Sequence, residues 1–433
     1  MKFVHISYTD KGGAGIAVSR THKRLQELGY ESVLYLKAEY AGDRPASPTF
    51  KARVASLFKR GINKIRSRFD KYFGSPEKRA KREQVSSDVA KNIDKYCFYS
   101  TSELESISID YILQDIEKGD VVILYWLGFK TLNTSNIEEL YKKSPGKIFW
   151  YALDMAPITG GCHYFWECTG YQNECKNCPI FNYEERSVTY YQFLSKDKNL
   201  KRHPVHLLAS SRIGLDIFQN AALRFKDYSV LPYAIDTAVF DIRKTEKKFP
   251  GLFTIFFNAQ NISDTRKGWN YFVAAIRRLD ELLNAAGIEN VSLISVDAIN
   301  HLPYFRDLGR IGLLDMGKHV TTENDLAQLY HSADIFVCTS VEDLSPLMVN
   351  EALLCGIPVI GFDNASNSEY ITENMNGNLI MPLDTGAMAK ALYRAISGEI
   401  LYQSQENIRN SVIQLHEPSH WDKTFRNILL RGQ

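Results

Sequence analysis

Short apolar runs alternate with amphipathic segments along the chain. In the amino half the runs cover residues 2–7, 32–36, 121–125, 147–151 and 205–209, and in the carboxyl half they cover 253–257, 291–296, 335–338 and 358–360. Helical patterns at 269–283 and 325–331 lie between runs of the carboxyl half. Such alternation is typical of parallel strands buried on both faces by helices. The pattern predicts an α/β protein built from two doubly wound halves.

Length and charge refine this picture. The chain has 433 residues, 45% hydrophobic content and a formal net charge of +2, which suits two domains of about 200 residues and argues against a nucleic-acid binder. We expect domains at 1–232 and 233–415, then a final helix at 416–433 that crosses back to the first domain. No run approaches the ~18 apolar residues that span a bilayer. The apolar stretch at residues 1–7 is too short for a signal peptide, so we expect a cytoplasmic location.

The segment 338–361 carries the strongest local signal for a binding site. A polar loop follows an apolar strand, and Ser345 and Pro346 suit the N-cap and the first position of a helix. Gly356, with a proline two residues later, gives a stop signal. The alternative is an ordinary capped helix of any doubly wound domain.

That helix has a chemical use. The free amides at its start, near Ser345 and Leu347, form a phosphate site. Glu351 lies six residues beyond Ser345, roughly 9 Å along the axis at ~1.5 Å per residue, so its carboxylate is placed to accept hydrogen bonds from ribose hydroxyls. Glu342 and Asp343 stand where a sugar joined to the diphosphate would lie. We therefore predict a nucleotide-diphosphate-sugar site.

Two further segments supply candidate walls for this site. Arg266 and Lys267 fall between a strand and a helix, at the edge of a parallel sheet where ligands bind, and can neutralise a leaving diphosphate. Gly12, Gly13 and Gly15 precede a helix and permit a close backbone approach to the donor. Surface cations and a plain turn are the alternatives.

The spacing around Glu351 resembles the donor-site signature of retaining GT-B glycosyltransferases of glycosyltransferase family 4. The resemblance implies two Rossmann-like domains facing across a cleft, with Glu351 at the donor ribose, Arg266 and Lys267 at the diphosphate and an acidic residue at the transferred sugar. Counted back from Glu351, that acid is Asp343, with Glu342 one place off register. The resemblance also implies transfer without a catalytic metal, with the leaving diphosphate helping to deprotonate the acceptor.

Four of the seven cysteines, Cys162, Cys168, Cys175 and Cys178, fall within 17 residues. In a cytosolic protein such crowding favours a metal over disulfides, and four thiolates around a structural zinc ion are the commonest solution. An iron-sulfur cluster or redox pair, and thiols without a ligand, remain alternatives.

The segment 153–164 narrows the resemblance to bacterial exopolysaccharide and O-antigen glycosyltransferases similar to the colanic acid enzymes. Asp154 and the string Thr-Gly-Gly-Cys-His-Tyr at 159–164 match, whereas Leu153 stands where those enzymes carry a histidine at the donor sugar. The resemblance implies an acceptor that enters past Trp126 and Asp154. Three roles are open for His163: it replaces the missing imidazole, it lies beside a zinc ion, or it only packs against neighbouring side chains.

A basic amphipathic insertion is predicted at about 50–95. Residues 51–82 hold twelve Lys or Arg against two acids, with apolar residues at helical spacing. One interpretation is a helix that docks on anionic lipid at the inner face of the cytoplasmic membrane. The other is a helix that packs on the domain with a solvated cationic face.

These expectations combine into one leading function. We expect a retaining hexosyltransferase that uses a nucleotide sugar to extend a glycan or a polyprenyl-diphosphate-linked acceptor in bacterial surface polysaccharide synthesis. The alternative is a non-catalytic GT-B scaffold or partner of a transferase. It is motivated by two histidines that the resemblance implies and this chain lacks, at Leu153 and Tyr125, and by the shifted position of the first acid.

Overall fold

The structure is a computed structural model that describes residues 1–37, 91–92, 95–98, 109–128, 131–132, 134–181, 187–242, 247–258, 262–296, 298–317, 320, 322–364 and 366–430. The basic stretch 51–82 and most of the predicted insertion lie outside the described residues. No helix among the described residues is both long and apolar enough to cross a membrane.

The amino-terminal domain contains a parallel six-stranded sheet with the order β2-β1-β3-β4-β5-β6. Its strands are β1 Lys2–Ser7, β2 Glu31–Leu36, β3 Val121–Leu124, β4 Lys147–Ala152, β5 Val205–Ala209 and β6 Asp227–Val230. Its helices are α1 Gly12–Glu27, α2 Ile109–Leu113, α3 Thr134–Lys143, α4 Ser187–Arg202 and α5 Arg212–Gln219. A 16-residue helix thus links the first two strands, as a parallel crossover requires.

The carboxyl-terminal domain repeats this plan, with a parallel sheet of order β12-β11-β10-β7-β8-β9. Its strands are β7 Phe253–Phe256, β8 Val291–Ser295, β9 Ile311–Asp315, β10 Ile335–Cys338, β11 Val359–Phe362 and β12 Gly377–Ile380. Its helices are α6 Trp269–Ala286, α7 Ala298–Phe305, α8 Glu323–Ser332, α9 Leu347–Leu354 and α10 Thr385–Ile396. The two doubly wound halves predicted from the sequence are confirmed.

Central strands of both sheets are apolar and buried on both faces. Every residue of β3 and β10 is buried. Because helices cover both faces of a parallel sheet, such strands carry little polar-apolar alternation, and their apolar runs are visible in the sequence. All nine predicted strands are present, whereas β6, β9 and β12 were not predicted.

The last helices, α11 Gln405–Asn410, α12 Ile413–His416 and α13 Pro418–Leu430, join the two halves. Phe425 on α13 packs on Phe3 of β1 with ring centroids 5.4 Å apart. The Lys147 ammonium donates to the carbonyl of Leu429 at 2.8 Å, and the Trp421 indole donates to the carbonyl of Pro232 at 2.8 Å. The final helix therefore contacts the first domain.

Candidate functional site

The helix α9 begins later than its sequence indicates. Pro346, and not Ser345, is the N-cap residue, and no side chain caps the helix. The Ser345 hydroxyl instead hydrogen-bonds the Tyr370 hydroxyl at 3.0 Å, and its amide donates to Asp343 at 3.3 Å. These contacts hold Ser345 outside the helix, which starts at Leu347, so the predicted N-cap is wrong. The predicted stop is confirmed, since Gly356 adopts a positive φ of 74° directly after the C-cap.

Glu351 lies on α9 but is buried, with 2% of its surface exposed. Its Oε1 accepts a hydrogen bond from Nη2 of Arg20 at 2.7 Å, and its Oε2 accepts one from the Tyr330 hydroxyl at 3.1 Å. Burial raises the pKa of Glu351, and Arg20 opposes that shift only in part. The predicted ribose carboxylate thus has two protein partners, one of them from the other domain.

Arg20 was not predicted as a site residue. It lies on α1, where the neighbouring Ala17, Thr21 and Leu25 are also buried. A charged residue on the buried face of a helix needs a partner, because an unpaired buried charge is costly. That pattern was the available signal, but the sequence does not identify a partner 331 residues away.

Asp343 lies beside the two predicted diphosphate cations. Its Oδ2 is 2.8 Å from the ammonium of Lys267 and 3.5 Å from Nη1 of Arg266. Burial acts to raise the pKa of Asp343, but the two cations outweigh burial and hold the pKa below its ordinary value. The structure therefore brings an ionised carboxylate and two cations together beside the carboxyl ends of β7 and β10 in the second sheet.

The carboxylate of Glu342 contacts the amino-terminal domain. Its two carboxylate oxygens accept the backbone N–H groups of Phe165 at 2.9 Å and Trp166 at 3.0 Å. Burial raises the pKa of Glu342, while these amides act in the opposite direction. Of the two acids that the sequence offers for the sugar end, only Asp343 contacts Lys267.

Arg266 is fixed from both domains. Its guanidinium lies 4.1 Å from the centroid of the Tyr164 ring, and it donates to Asp264 at 3.0 Å and to the carbonyl of Glu342 at 3.1 Å. The following Gly268 has a φ of 73°, and a Cβ there would lie 1.9 Å from the carbonyl oxygen of Thr339. Only glycine fits this turn, which places the Arg-Lys pair against the loop after β10.

The three glycines do not precede the helix, as the sequence predicted, but lie at the start of α1, and their surroundings differ. Gly12 is the first residue of the helix and has a φ of 75°. A Cβ on Gly15 would lie 2.2 Å from the carbonyl carbon of Asp10, whereas a Cβ on Gly13 would meet nothing within 4 Å. Gly15 is therefore required by packing, whereas Gly13 is exposed and adjoins open space. Their role in donor binding stays a prediction.

The predicted acceptor residues come together in the amino-terminal domain. Nδ1 of His163 lies 2.5 Å from Oδ2 of Asp154 and 2.7 Å from the indole nitrogen of Trp126. That nitrogen donates to Asp154 when it carries a proton and accepts from Trp126 when it does not. Leu153 packs against the apolar core that joins the domains. The role of this cluster in acceptor binding stays a prediction.

The four clustered cysteines, Cys162, Cys168, Cys175 and Cys178, line one cavity, and all are free thiols. The amide of Gly160 donates to Sγ of Cys175 at 3.2 Å, and burial raises the pKa of this thiol to about 11. Within the described part of the chain, no group of three or more His, Cys, Asp and Glu side chains is arranged to hold a metal ion.

The domains meet through carboxylates of the second domain. Besides Glu342 and Glu351, Glu369 accepts the amides of Arg212 at 3.0 Å and Ile213 at 3.1 Å, at the start of α5. This contact could not be predicted, because the donors to Glu369 are main-chain N–H groups, which every residue except proline carries.

Comparisons with known proteins agree with this architecture. Residues 253–397 match a family model described as "Glycosyl transferases group 1". No curated protein matches the chain. Among solved structures, the apo lipopolysaccharide outer core galactosyltransferase WaaB has a TM-score of 0.54 at 15% identity, with 100% of both chains covered.

Two further structures are similar along nearly the whole chain. Sucrose-phosphate synthase from Thermosynechococcus elongatus has a TM-score of 0.58 at 13% identity, with 99% of each chain covered. HepE from Anabaena in complex with UDP has a TM-score of 0.54 at 13% identity, with 99% of this chain and 98% of HepE covered. With the two six-stranded parallel sheets, these likenesses show that the chain has the GT-B fold.

Proposed function

We propose that this protein is a glycosyltransferase that moves a sugar from a uridine-diphosphate sugar, with retention, to a glycan or polyprenyl-diphosphate-linked acceptor in bacterial surface polysaccharide synthesis. The observation that carries the proposal is the cluster of Arg266, Lys267 and Asp343 at the sheet edge. The family match of residues 253–397 and the UDP bound to HepE support the choice of donor.

The cluster has the charges that diphosphate release requires. An ammonium has three N–H donors, and Asp343 accepts from Lys267, so further donors of Lys267 are available to phosphate oxygens. Fixed cations in a partly buried site stabilise charge that develops on a leaving diphosphate. Asp343 adjoins these cations and would orient the transferred sugar. In this proposal Glu351 binds the ribose.

The configuration at the anomeric carbon is retained if the acceptor attacks on the face from which the diphosphate leaves, and if that diphosphate takes the acceptor proton. This scheme needs no protein nucleophile and no catalytic metal. The acceptor would approach from the amino-terminal domain, where Trp126, Asp154 and His163 form one hydrogen-bonded cluster. We assign the chain to glycosyltransferase family 4 on the sequence signature and this arrangement.

A specific observation favours the alternative, a non-catalytic GT-B scaffold. Glu351 is paired with Arg20 and almost fully buried, and Leu153 replaces the expected imidazole. A scaffold would keep the fold and the domain contacts and would transfer no sugar. Binding of a nucleotide without turnover would favour the scaffold.

Thermal denaturation with UDP and assays of UDP release from UDP-sugars test the proposal. A ligand at a hundredfold excess over its Kd stabilises the folded state by about 2.7 kcal/mol, which is readily measured. We expect the unmodified protein to be stabilised by UDP and to turn over a UDP-sugar. Lys267→Ala should lose both properties. The control Lys390→Ala, whose side chain is exposed, should keep both. If no nucleoside diphosphate changes the melting temperature, the donor site is refuted.

We further propose that the four clustered cysteines hold a structural zinc ion. They line one cavity, and amides donate to the Sγ atoms of Cys175 and Cys168. Zinc would require the thiols to lose their protons and turn toward a common centre. Metal analysis of purified protein tests this. About one zinc per chain, lost in Cys178→Ser, is expected, and less than about 0.3 per chain would refute it.

We also propose a cytoplasmic protein that docks on the inner face of the membrane through residues 51–82. Twelve cations against two acids support attraction to anionic lipid. Co-sedimentation with anionic vesicles at rising salt tests the proposal. Absence of binding at low salt would refute it.

A further inference from the structure

Arg20 joins the two domains at the predicted ribose carboxylate. Its side chain lies on α1 with 6% exposed, and its Nη2 and Nε contact Glu351 at 2.7 Å and Glu323 at 2.5 Å in the other domain. The guanidinium carbon lies 5.2 Å from the centroid of the Phe240 ring. Its buried Nη1 has no hydrogen-bond partner among the described residues. One buried cation thus serves two carboxylates across the interface.

This contact controls the state of Glu351. A carboxylate buried to this degree is costly in its charged form unless a cation and hydrogen bonds compensate. Tyr330 supplies one neutral hydrogen bond, and Arg20 is the cation in contact with the carboxylate. Each carboxylate oxygen has two acceptor positions, so Arg20 and Tyr330 leave one on each oxygen for a ribose hydroxyl.

We propose that Arg20 is a positioning residue of the donor site, which keeps Glu351 ionised and aimed at the two ribose hydroxyls from across the domain interface. The inference rests on the proposed function, because it assigns Glu351 to the ribose. It adds a residue of the amino-terminal domain to the nucleoside end of the site. Donor binding and contact between the domains then depend on the same carboxylate.

The surroundings of Glu351 make pH a useful variable. The titratable groups that face the Arg20–Glu351 pair are Glu323, Tyr330, Cys355 and His416. Burial raises the pKa values of Tyr330 and Cys355 well above their ordinary range, and burial lowers that of His416 to about 4. These three groups stay neutral from pH 6.5 to 9. Burial raises the pKa of Glu351, and loss of Arg20 removes the main opposing influence.

Calorimetric titration with UDP from pH 6.5 to 9 tests the role. The measured quantity is the Kd of a variant divided by the Kd of the unmodified protein at each pH, which cancels the titration of UDP itself. For Arg20→Gln we expect a ratio of about ten or more at pH 6.5 that falls toward one at pH 9, since the ionised fraction of a carboxyl changes about tenfold per pH unit below its pKa. Arg20→Lys keeps the charge, so its ratio should not vary with pH.

Arg24→Gln is the matched control. Arg24 lies one turn further along α1, is buried to a similar degree and pairs with Glu27 of its own helix. Its ratio should stay near one throughout. Binding of 2′,3′-dideoxy-UDP isolates the hydroxyls: the unmodified protein should bind it more weakly than UDP, and Arg20→Gln should lose that difference at pH 6.5.

The possible outcomes separate the two proposals. If the unmodified protein binds no UDP, the proposed function fails, and the role of Arg20 fails with it. If the unmodified protein binds UDP and the ratio for Arg20→Gln is one at every pH, only the positioning role is overturned. A ratio raised equally at every pH overturns the part of the role that keeps Glu351 ionised. Should Arg20→Gln not fold, a pH-dependent ratio for Arg20→Lys would overturn the role and a constant ratio would support it.

Discussion

The contact between Glu342 and the amides of Phe165 and Trp166 makes a measurable prediction. Glu342→Gln keeps one carbonyl oxygen and replaces the other acceptor with an NH2 group. One of two charge-assisted hydrogen bonds, now 2.9 and 3.0 Å long, is therefore lost. A hydrogen bond to a charged group contributes about 1.5–3 kcal/mol. We expect local opening of this interface to become more frequent by about 10- to 150-fold, at about 1.4 kcal/mol per factor of ten.

Amide hydrogen exchange measures this opening at the two bonded groups. In Glu342→Gln the amides of Phe165 and Trp166 should exchange faster by that factor, while amides of β1 and β10 keep their rates. Glu167→Gln is the control, because Glu167 is 83% exposed and its side chain lies 3.7 Å from Lys95. Unchanged exchange at the two amides would refute the contact. Faster exchange throughout both sheets would show that the substitution destabilises the whole fold.

Three further predictions concern packing and pH. Gly15→Ala should lower the melting temperature, because its Cβ would lie 2.2 Å from the carbonyl carbon of Asp10. Gly13→Ala should raise the melting temperature slightly, because alanine increases the free energy of unfolding by up to ~1 kcal/mol through its helix propensity. Arg409→Met should lower the free energy of unfolding in urea by about 3 kcal/mol, because three main-chain carbonyls lose their donor. The folded-state pKa of Asp343 is depressed, so its contribution to stability is present at neutral pH and lost as pH falls through that pKa. Urea midpoints between pH 6 and pH 3 should therefore fall less steeply in Asp343→Asn.

The sequence predicts the interior of each sheet better than its edges. Central strands such as β3 and β10 are buried on both faces, so their apolar runs are continuous. The three strands that were not predicted, β6, β9 and β12, each lie at the edge of a sheet. Edge strands are partly exposed and mix polar with apolar residues, as in β9, where only Ile311 is buried. A search for apolar runs found the edge strand β2, whose residues 33–36 are apolar, but it missed these three strands.

At the site, local signals identify groups and long-range contacts decide their partners. The Arg-Lys-Gly turn and the stop at Gly356 follow from backbone requirements that neighbouring residues display. The position of Glu342 does not, because its partners are amides 177 and 176 residues away. Tyr164, which stacks on Arg266, belongs to the segment 153–164, which the resemblance connects with the acceptor and not with the diphosphate cations. The end of α9 was therefore predictable. Its start was not, because Ser345 is held outside the helix by Tyr370 and Asp343, and neither was pairing across the domain interface.

The three acids of the site differ in which domain supplies their partners. Asp343 is held by Lys267 and Arg266 of its own domain, so its charge persists whether or not the two domains touch. Glu351 and Glu342 each accept hydrogen bonds from the amino-terminal domain. In the proposed function, the donor diphosphate therefore meets a cation pair that lies within the second domain, whereas the ribose carboxylate also needs Arg20 of the first domain.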